Sequence, residues 1–236
     1  TSLGQLLSHV SDISGIKRIR YTTSHPLEMD ESLADAHRDI PAVMPYLHLP
    51  VQSGSDKILA AMNRRHTRCD YLDAIALMRS QRADIVFSSD FIVGFPGETD
   101  ADFEATLQLV RETGYAHAYS FKYSPRPGTP AATLGDQIAE PVKAERLAAL
   151  NELLEDQRMA FDRSLVGRTL SVLMERPGRY PGQLAGRSPY MQAVHVDAPD
   201  ELLGGVADVT VVSAGPNSLT GSLSNRDDGR RSADAA

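Results

Sequence analysis

The sequence predicts an α/β chain: successive βα units that build a parallel sheet or barrel, followed by a small antiparallel β-barrel. Three observations predict it. Strand-like and helical apolar patterns alternate from Ile16 to Val166, which is the signature of parallel pairing. After Gly167 the texture changes to short β-rich runs between Gly, Pro and Ser turns, as in small barrels. The 236 residues, 42% hydrophobic and 23% charged, suffice for one larger and one smaller domain and exclude global disorder.

Each element has a local reason. Ile16–Thr22 (IKRIRYT) has strand composition, and Leu27–Asp39 is predicted as a helix with acidic residues in its first turn. Tyr46–Val51 is an apolar strand, followed by the polar turn Gln52-Ser53-Gly54-Ser55 and a short helix near Asp56–Met62. Residues 70–81 place Leu72, Ile75 and Ala76 on one helical face. Ile85–Val93 is a long buried strand that ends in Gly94-Phe95-Pro96-Gly97-Glu98. Thr99 with Asp102 forms a capping-box start; Phe103, Leu107 and Val110 form the buried stripe, and Gly114 stops the helix. Tyr115–Tyr123 is another strand, and 125–130 (PRPGTP) is a stiff loop. Val142–Val166 is one long helix of about 37 Å. Thr169–Met174, Met191–Val196 and Val206–Val212 are the predicted strands of the small barrel. The expected organisation is a partial βα barrel over 1–140, a connecting helix over 141–163, a small β-barrel over 164–222 and a disordered tail over 223–236.

Composition limits the chemistry. Cys69 is the single cysteine, which rules out an internal disulfide framework, a Cys-rich zinc site and an iron–sulfur cluster held by this chain alone. It also points to a reducing compartment. No apolar run approaches the ~18 residues of a membrane span. The net charge of −7 lacks the basic field of a general nucleic-acid binder, although a local basic patch is compatible with it. The chain starts at Thr1, not at a methionine, and no signal peptide follows, so a processed chain or a fragment is expected.

In a parallel βα array, functional groups gather where strands end. That puts four polar stretches on one rim: 22–26 (TTSHP), His48 to Ser55, Asp90 to Glu98 and Ser120 to Thr129. Two glycines around Pro96 would let backbone approach a flat ligand and read an adenine edge. Asp90 lies within its strand and is expected to face a partner at the barrel interior. Gln52, Ser53 and Ser55 offer amide and hydroxyl groups suited to a ribose or a carboxylate. His48 should point away from Leu47 and Leu49, and neither it nor His25 has metal-site spacing. The basic run Asn63 to Arg68 is either a solvated loop or a phosphate contact. Cys69 is expected to be a structural thiol.

These motifs, RIRYTTSHP (18–26), YLHLPVQSGSDKIL (46–59), MNRRHT (62–67), SSDFIVGFPGET (88–99) and YSPRPGTPAA (123–132), resemble those of the radical-SAM methylthiotransferases. Within them the resemblance is to the bacterial tRNA-modifying, MiaB-type branch. The segment from 164 to 222 is similar to the family's TRAM domain, a small RNA-binding β-barrel. The resemblance implies the C-terminal part of an incomplete TIM-like radical-SAM barrel that binds S-adenosyl-L-methionine and a 4Fe–4S cluster at its rim. It implies a 5′-deoxyadenosyl radical that abstracts hydrogen from C2 of isopentenyl-adenosine beside the anticodon, where a methylthio group is then installed. Gly94, Phe95, Pro96, Gly97 and Glu98, with Asp90, would sit by the adenine of the cofactor. Gln52, Ser53 and Ser55 would sit by its ribose or methionine portion, and Arg126 would hold the methionine carboxylate or an RNA phosphate. Arg64, Arg65, His66 and Arg168 are the candidate RNA contacts. The implied partners are tRNA and an electron donor such as flavodoxin; no membrane is involved, and the protein is expected to be a cytoplasmic monomer.

One departure is large. The family has a C-x3-C-x2-C loop after the first barrel strand and three further cysteines for a second 4Fe–4S cluster, and this sequence has neither set. It is therefore expected to be a C-terminal fragment, inactive alone and marginally stable where a barrel missing strands exposes apolar edges. Relatives that modify an aspartate of a ribosomal protein or threonylcarbamoyl-adenosine are the alternatives within this chemistry; TTSHP and HLPVQSGS favour the first branch. A non-catalytic RNA-binding module using only the small barrel is the alternative from another class.

Overall fold

A computed structural model describes residues 2–22 and 25–224. The chain divides into two compact units, Thr1–Arg158 and Met159–Ala236.

The first unit is built around a parallel sheet of β1 (Tyr46–His48), β2 (Val86–Val93) and β3 (His117–Lys122), in that order. Helices α1 (Leu3–Ser11), α2 (Glu31–Asp39), α3 (Asp56–Ala61), α4 (Arg68–Gln81) and α5 (Asp100–Thr113) surround and connect it. β2 alternates as its sequence requires. Phe87, Ser89, Phe91 and Val93 are buried, while Val86, Asp90 and Ile92 of the opposite face are half-buried. The core joins Leu47, Leu49, Phe87 and Phe91 from the strands to Leu33, Tyr71, Met78 and Leu109 from the helices. Tyr71 is fully buried and satisfied: its hydroxyl donates to Leu49 O and accepts from the Tyr115 hydroxyl.

Side chains set the helix boundaries. Thr67 and Asp70 form a reciprocal capping box at α4, and Thr99 with Asp102 does the same at α5. Gly114, at φ +64°, ends α5. The helix expected over 27–39 is broken in two: a 3-10 turn at Pro26–Glu28 precedes α2, because Asp30 caps the Leu33 amide and starts a new helix. The strand expected at Ile16–Thr22 is reduced to one parallel bridge, Ile19 to Val43, and α1 lies in a segment given no element by the patterns.

The long helix α6 (Glu140–Ser164) is more than a connector. Leu150 and Leu154 belong to the core of the first unit, and the Gln157 side chain binds Tyr115 N and Val110 O. Its last turns belong to the second unit, where Phe161 packs edge-on against Tyr190.

The second unit is a closed barrel in the order β4-β5-β6-β8-β7: β4 (Thr169–Pro177), β5 (Gln183–Arg187), β6 (Ala193–Asp197), β7 (Val206–Ala214), β8 (Leu219–Leu223). All its pairings are antiparallel except β6 with β8. Leu170, Val172, Met174, Leu184, Val194, Val196, Val209 and Leu219 fill it. β5 and β8 go beyond the three predicted strands; they are short and glycine-interrupted, and their pairing depends on closure. Gly186 is required there, since a Cβ would meet the Leu173 carbonyl of the paired strand. From residue 225 on, the tail expected to be disordered lies outside the described residues.

Candidate cofactor-binding rim

The candidate ligand side of the sheet is the face that carries its half-buried polar and exposed aromatic side chains. Parallel register aligns Tyr46 with Val86, His48 with Ser88, Asp90 with Tyr119, and Ile92 with Phe121, so these side chains share one face. Ser88 organises its polar part: its Oγ lies 2.6 Å from the Tyr46 hydroxyl and 2.8 Å from His48 Nδ1. His48 Nε2 stands 3.7 Å from Asp90 Oδ2. His48 thus points away from Leu47 and Leu49 as the alternation requires, and Asp90 has His48 beside it. On β3, Tyr119 packs edge-on to His117, and both Tyr119 and Phe121 are 52% exposed. An exposed aromatic strand beside a carboxylate and an imidazole is a surface that suits a nucleoside.

The loop after β1 is braced from behind. Gln52 adopts φ +77°, an uncommon conformation for a non-glycine residue. It is held there because its N–H donates to Asp90 O while its carbonyl accepts from Ile92 N. Ser53 and Ser55 face α5. Ser53 Oγ meets Thr106 Oγ1 and accepts from Ser55 N, and the Ser55 hydroxyl donates to Asp102 Oδ1 at 2.7 Å. Lys57 Nζ adds a bond to Asp102 Oδ2. Burial works to raise the Asp102 carboxyl, but Thr99, Lys57 and Ser55 together hold it well below the usual carboxylate range.

The 94–98 turn is likewise occupied by its own chain. Gly94 and Gly97 have φ +72° and +77°, which is one reason they are glycine. The other is space, since a Cβ on Gly94 would meet the Lys143 stem and one on Gly97 the Asp136 carboxylate. The side expected to admit a flat ligand is therefore filled by α6 and the loop before it. Glu98 is 3% exposed; its Oε2 accepts from Gly94 N and from Arg146 Nη1, each at 2.7 Å. Burial pushes this carboxyl up, opposed by the Gly94 N–H and Arg146. Phe95 is buried and packs edge-on to Tyr123, and Pro96 is buried beside it.

The other candidate residues are spread out. Arg126 is exposed on the loop after β3. Arg64 and Arg65 are exposed, but His66 between them and α4 is 2% exposed, so it is out of reach of an RNA on the surface. Its Nδ1 lies 3.4 Å from His25 Nε2; this imidazole pair ties the 22–26 loop, of which Thr23 and Ser24 lie outside the described residues, to the loop after α3. Burial, then the neighbouring His25, lowers the His66 pKa. Arg168 is exposed in the second unit. Sequence reading missed Tyr119 and Phe121, which strand alternation could have placed with Asp90. It also missed Lys143 and Arg146, for which a helix with charges on every side and no marked apolar stripe gives no signal.

Comparison with known proteins accounts for both units. Residues 2–110 match the radical SAM superfamily model, and residues 163–224 match the TRAM domain model. Residues 2–110 are a radical SAM segment, and residues 163–224 are a TRAM domain. It is 61% identical over 221 residues to tRNA-2-methylthio-N(6)-dimethylallyladenosine synthase of Maricaulis maris (strain MCS10), covering 94% of this chain and 48% of that protein. The chain thus spans about half the length of the curated relative it matches. Among solved structures, Escherichia coli coproporphyrinogen III oxidase, a radical SAM enzyme, aligns with a TM-score of 0.47 and 15% identity over 70% of this chain and 45% of that one.

The radical SAM match of residues 2–110 implies S-adenosylmethionine and 4Fe–4S chemistry, and this segment answers the two differently. The polar and aromatic sheet face fits an adenosyl group. No cluster site fits. Cys69 is exposed on α4 against Asp73, which is the main cause holding its thiol pKa up, and no group of three metal-binding side chains occurs among the described residues. Anaerobic reconstitution of this chain with iron and sulfide is expected to leave no stoichiometric 4Fe–4S absorbance. A spectrum at one cluster per chain would count against this assignment.

Proposed function

We propose that this chain is the nucleoside- and RNA-binding part of a radical-SAM tRNA methylthiotransferase, which adds a methylthio group to C2 of isopentenyl-adenosine near the anticodon. The observation that carries the reading is the 61% identity over nearly the whole chain, joined to a sheet face whose chemistry suits a nucleoside. Asp90 and His48 would accept and donate hydrogen bonds at a ribose or base edge, and Tyr119 and Phe121 would supply stacking area. Gln52 presents the end of β1 to the same rim. Ser53, Ser55 and Glu98 act from behind, fixing the shape of the two loops. Arg126 would neutralise a carboxylate or a phosphate. S-adenosylmethionine, when bound, supplies a hydrogen-abstracting radical and the transferred methyl group.

The TRAM barrel, with Arg168, and the exposed Arg64 and Arg65 would hold the tRNA. None of the 236 residues supplies a three-cysteine loop, so both 4Fe–4S clusters of the family would need ligands from outside them. A flavodoxin-like electron donor, a cytoplasmic setting and a monomeric state complete the reading; no helix among the described residues is long and apolar enough to cross a membrane.

Titration with S-adenosylhomocysteine, followed by NMR shifts of the amides of β2 and β3, tests it. The chain should bind, and Asp90→Asn and Tyr119→Ala should each weaken binding about tenfold, or about 1.4 kcal/mol. Shifts confined to other surfaces, or affinities unchanged in both variants, would remove the sheet face from the site.

A further inference from the structure

We propose that Arg146, on α6, is a positioning residue for the Gly94–Glu98 turn and, through it, for the nucleoside bound at the rim. This rests on the nucleoside-binding role proposed for the sheet face.

The geometry is specific. The Arg146 guanidinium makes three bonds to the turn and its exit: Nη1 to Glu98 Oε2 at 2.7 Å, Nη1 to Glu98 O at 3.1 Å, and Nη2 to Asp100 Oδ1 at 2.7 Å. Its side chain is 7% exposed and that of Glu98 1%. The same Glu98 oxygen holds the Gly94 N–H, so one guanidinium fixes both ends of the turn. One helical turn earlier, the Lys143 stem covers Gly94, and its Nζ donates to Tyr123 O. Asp136 O accepts from Gly97 N, and Gly97 O accepts from Lys57 Nζ. A fastener for α6 alone would need only one of these bonds. Here the Arg146 bonds, with those of Asp136 and Lys57 to Gly97, converge on the segment that leaves β2, the strand that carries Asp90 and Ile92. Lysine at 146 could not reach two carboxylates in this planar arrangement.

The charged groups facing Glu98 make the role testable. Around the turn they are Arg146 and, over Gly94, Lys143 on α6, Asp100 and Asp102 on α5, Asp136 beside Gly97, and Lys57 on α3, which pairs with Asp102. With Arg146 present, Glu98 Oε2 is held by the guanidinium and the Gly94 N–H together, which oppose the upward push of burial on its carboxyl. In Arg146→Met the Glu98 carboxylate keeps the Gly94 N–H but loses its ion pair, since Lys57 is engaged by Asp102 and Lys143 Nζ by Tyr123 O. Protonated, it would stay in place; ionised and unpaired, it would leave for water and release the turn.

The experiment measures S-adenosylhomocysteine affinity by calorimetry between about pH 6 and about pH 8.5, with melting temperature alongside. The wild type should vary by less than about threefold across this range, and R146M should lose about tenfold as pH rises. E98Q/R146M, whose neutral amide still accepts from Gly94 N, should be flat and bind within about threefold of wild type. If R146M does not fold, R146K carries the test with an expected loss of about threefold to tenfold. A lowered melting temperature in R146M, with wild-type affinity and a flat pH profile, would make the pair a helix fastener only and overturn the assignment. A wild-type chain that binds no S-adenosylhomocysteine overturns the nucleoside-binding role instead. Amide exchange in the same variants then decides the positioning claim: acceleration confined to Gly94, Gly97 and Glu98 supports it, and uniform acceleration through β2 and α5 refutes it.

Discussion

Replacing Gly54 by alanine is expected to destabilise the first unit by about 3 kcal/mol, the upper end of the usual cost of overpacking. A Cβ at this position would meet the Ala105 carbonyl and lie 2.6 Å from Thr106 Cα. Both obstacles are α5 backbone, so no side-chain rotation relieves the clash. The displacement would also break the bond from Gly54 N to Thr106 Oγ1 at 2.9 Å and pull Ser53 from the same hydroxyl. Thermal unfolding should shift down by about 6 to 12 °C for a unit of this size. Because the loop carries Gln52, nucleoside binding should weaken in the same variant. A melting temperature within about 2 °C of wild type would show that the loop after β1 and α5 are not packed this closely.

Stability should also fall as pH drops below the ordinary imidazole pKa. His37 is 1% exposed on α2, with its Nε2 2.6 Å from the Tyr21 hydroxyl. Burial is the main cause that holds its pKa down to about 4; Arg82 adds to this and Asp84 opposes it. The folded pKa lies below the unfolded value of 6.5, so the unfolded chain takes up the proton first. The stabilisation from a neutral His37 is therefore complete above about pH 6.5 and lost progressively down to about pH 4, a total of about 3 kcal/mol. His66, lowered by burial in the same sense, adds to the slope. Urea midpoints of wild type and His37→Gln, compared at pH 7 and pH 4.5, isolate the His37 share: the variant should lose less stability on acidification. Parallel curves for the two proteins would exclude His37 as the cause.

Much of the fold was legible because its signals are local. Thr99, Asp102 and Gly114 mark the two ends of α5, and alternation about Phe87 and Phe91 identifies β2 and its buried face. The misses share one physical cause: they depend on groups distant in sequence. Asp30 competes for the start of α2 and divides a helix that periodicity left whole. β5 and β8 are too short and glycine-rich to register alone, and exist because the barrel closes around them. α6 has no marked apolar stripe, yet Leu150 enters the core and Gln157 satisfies backbone groups of α5 and β3's approach.

The site divides the same way. The sequence by itself determined the radical SAM and TRAM segments and the absence of any cysteine set for a cluster, because these are carried by residue type and local spacing. Only the tertiary structure decided which side of the loops after β1 and β2 is filled by the chain itself. Gly94 and Gly97 looked like room for a flat group, but Lys143 and Asp136, about 40 to 50 residues away in the chain, fill that room. Ser53, Ser55 and Glu98 looked like ligand contacts, but Thr106, Asp102 and Arg146 hold them from behind. A buried hydroxyl or carboxylate must find a partner wherever the fold places one, and the sequence does not say which neighbour that will be.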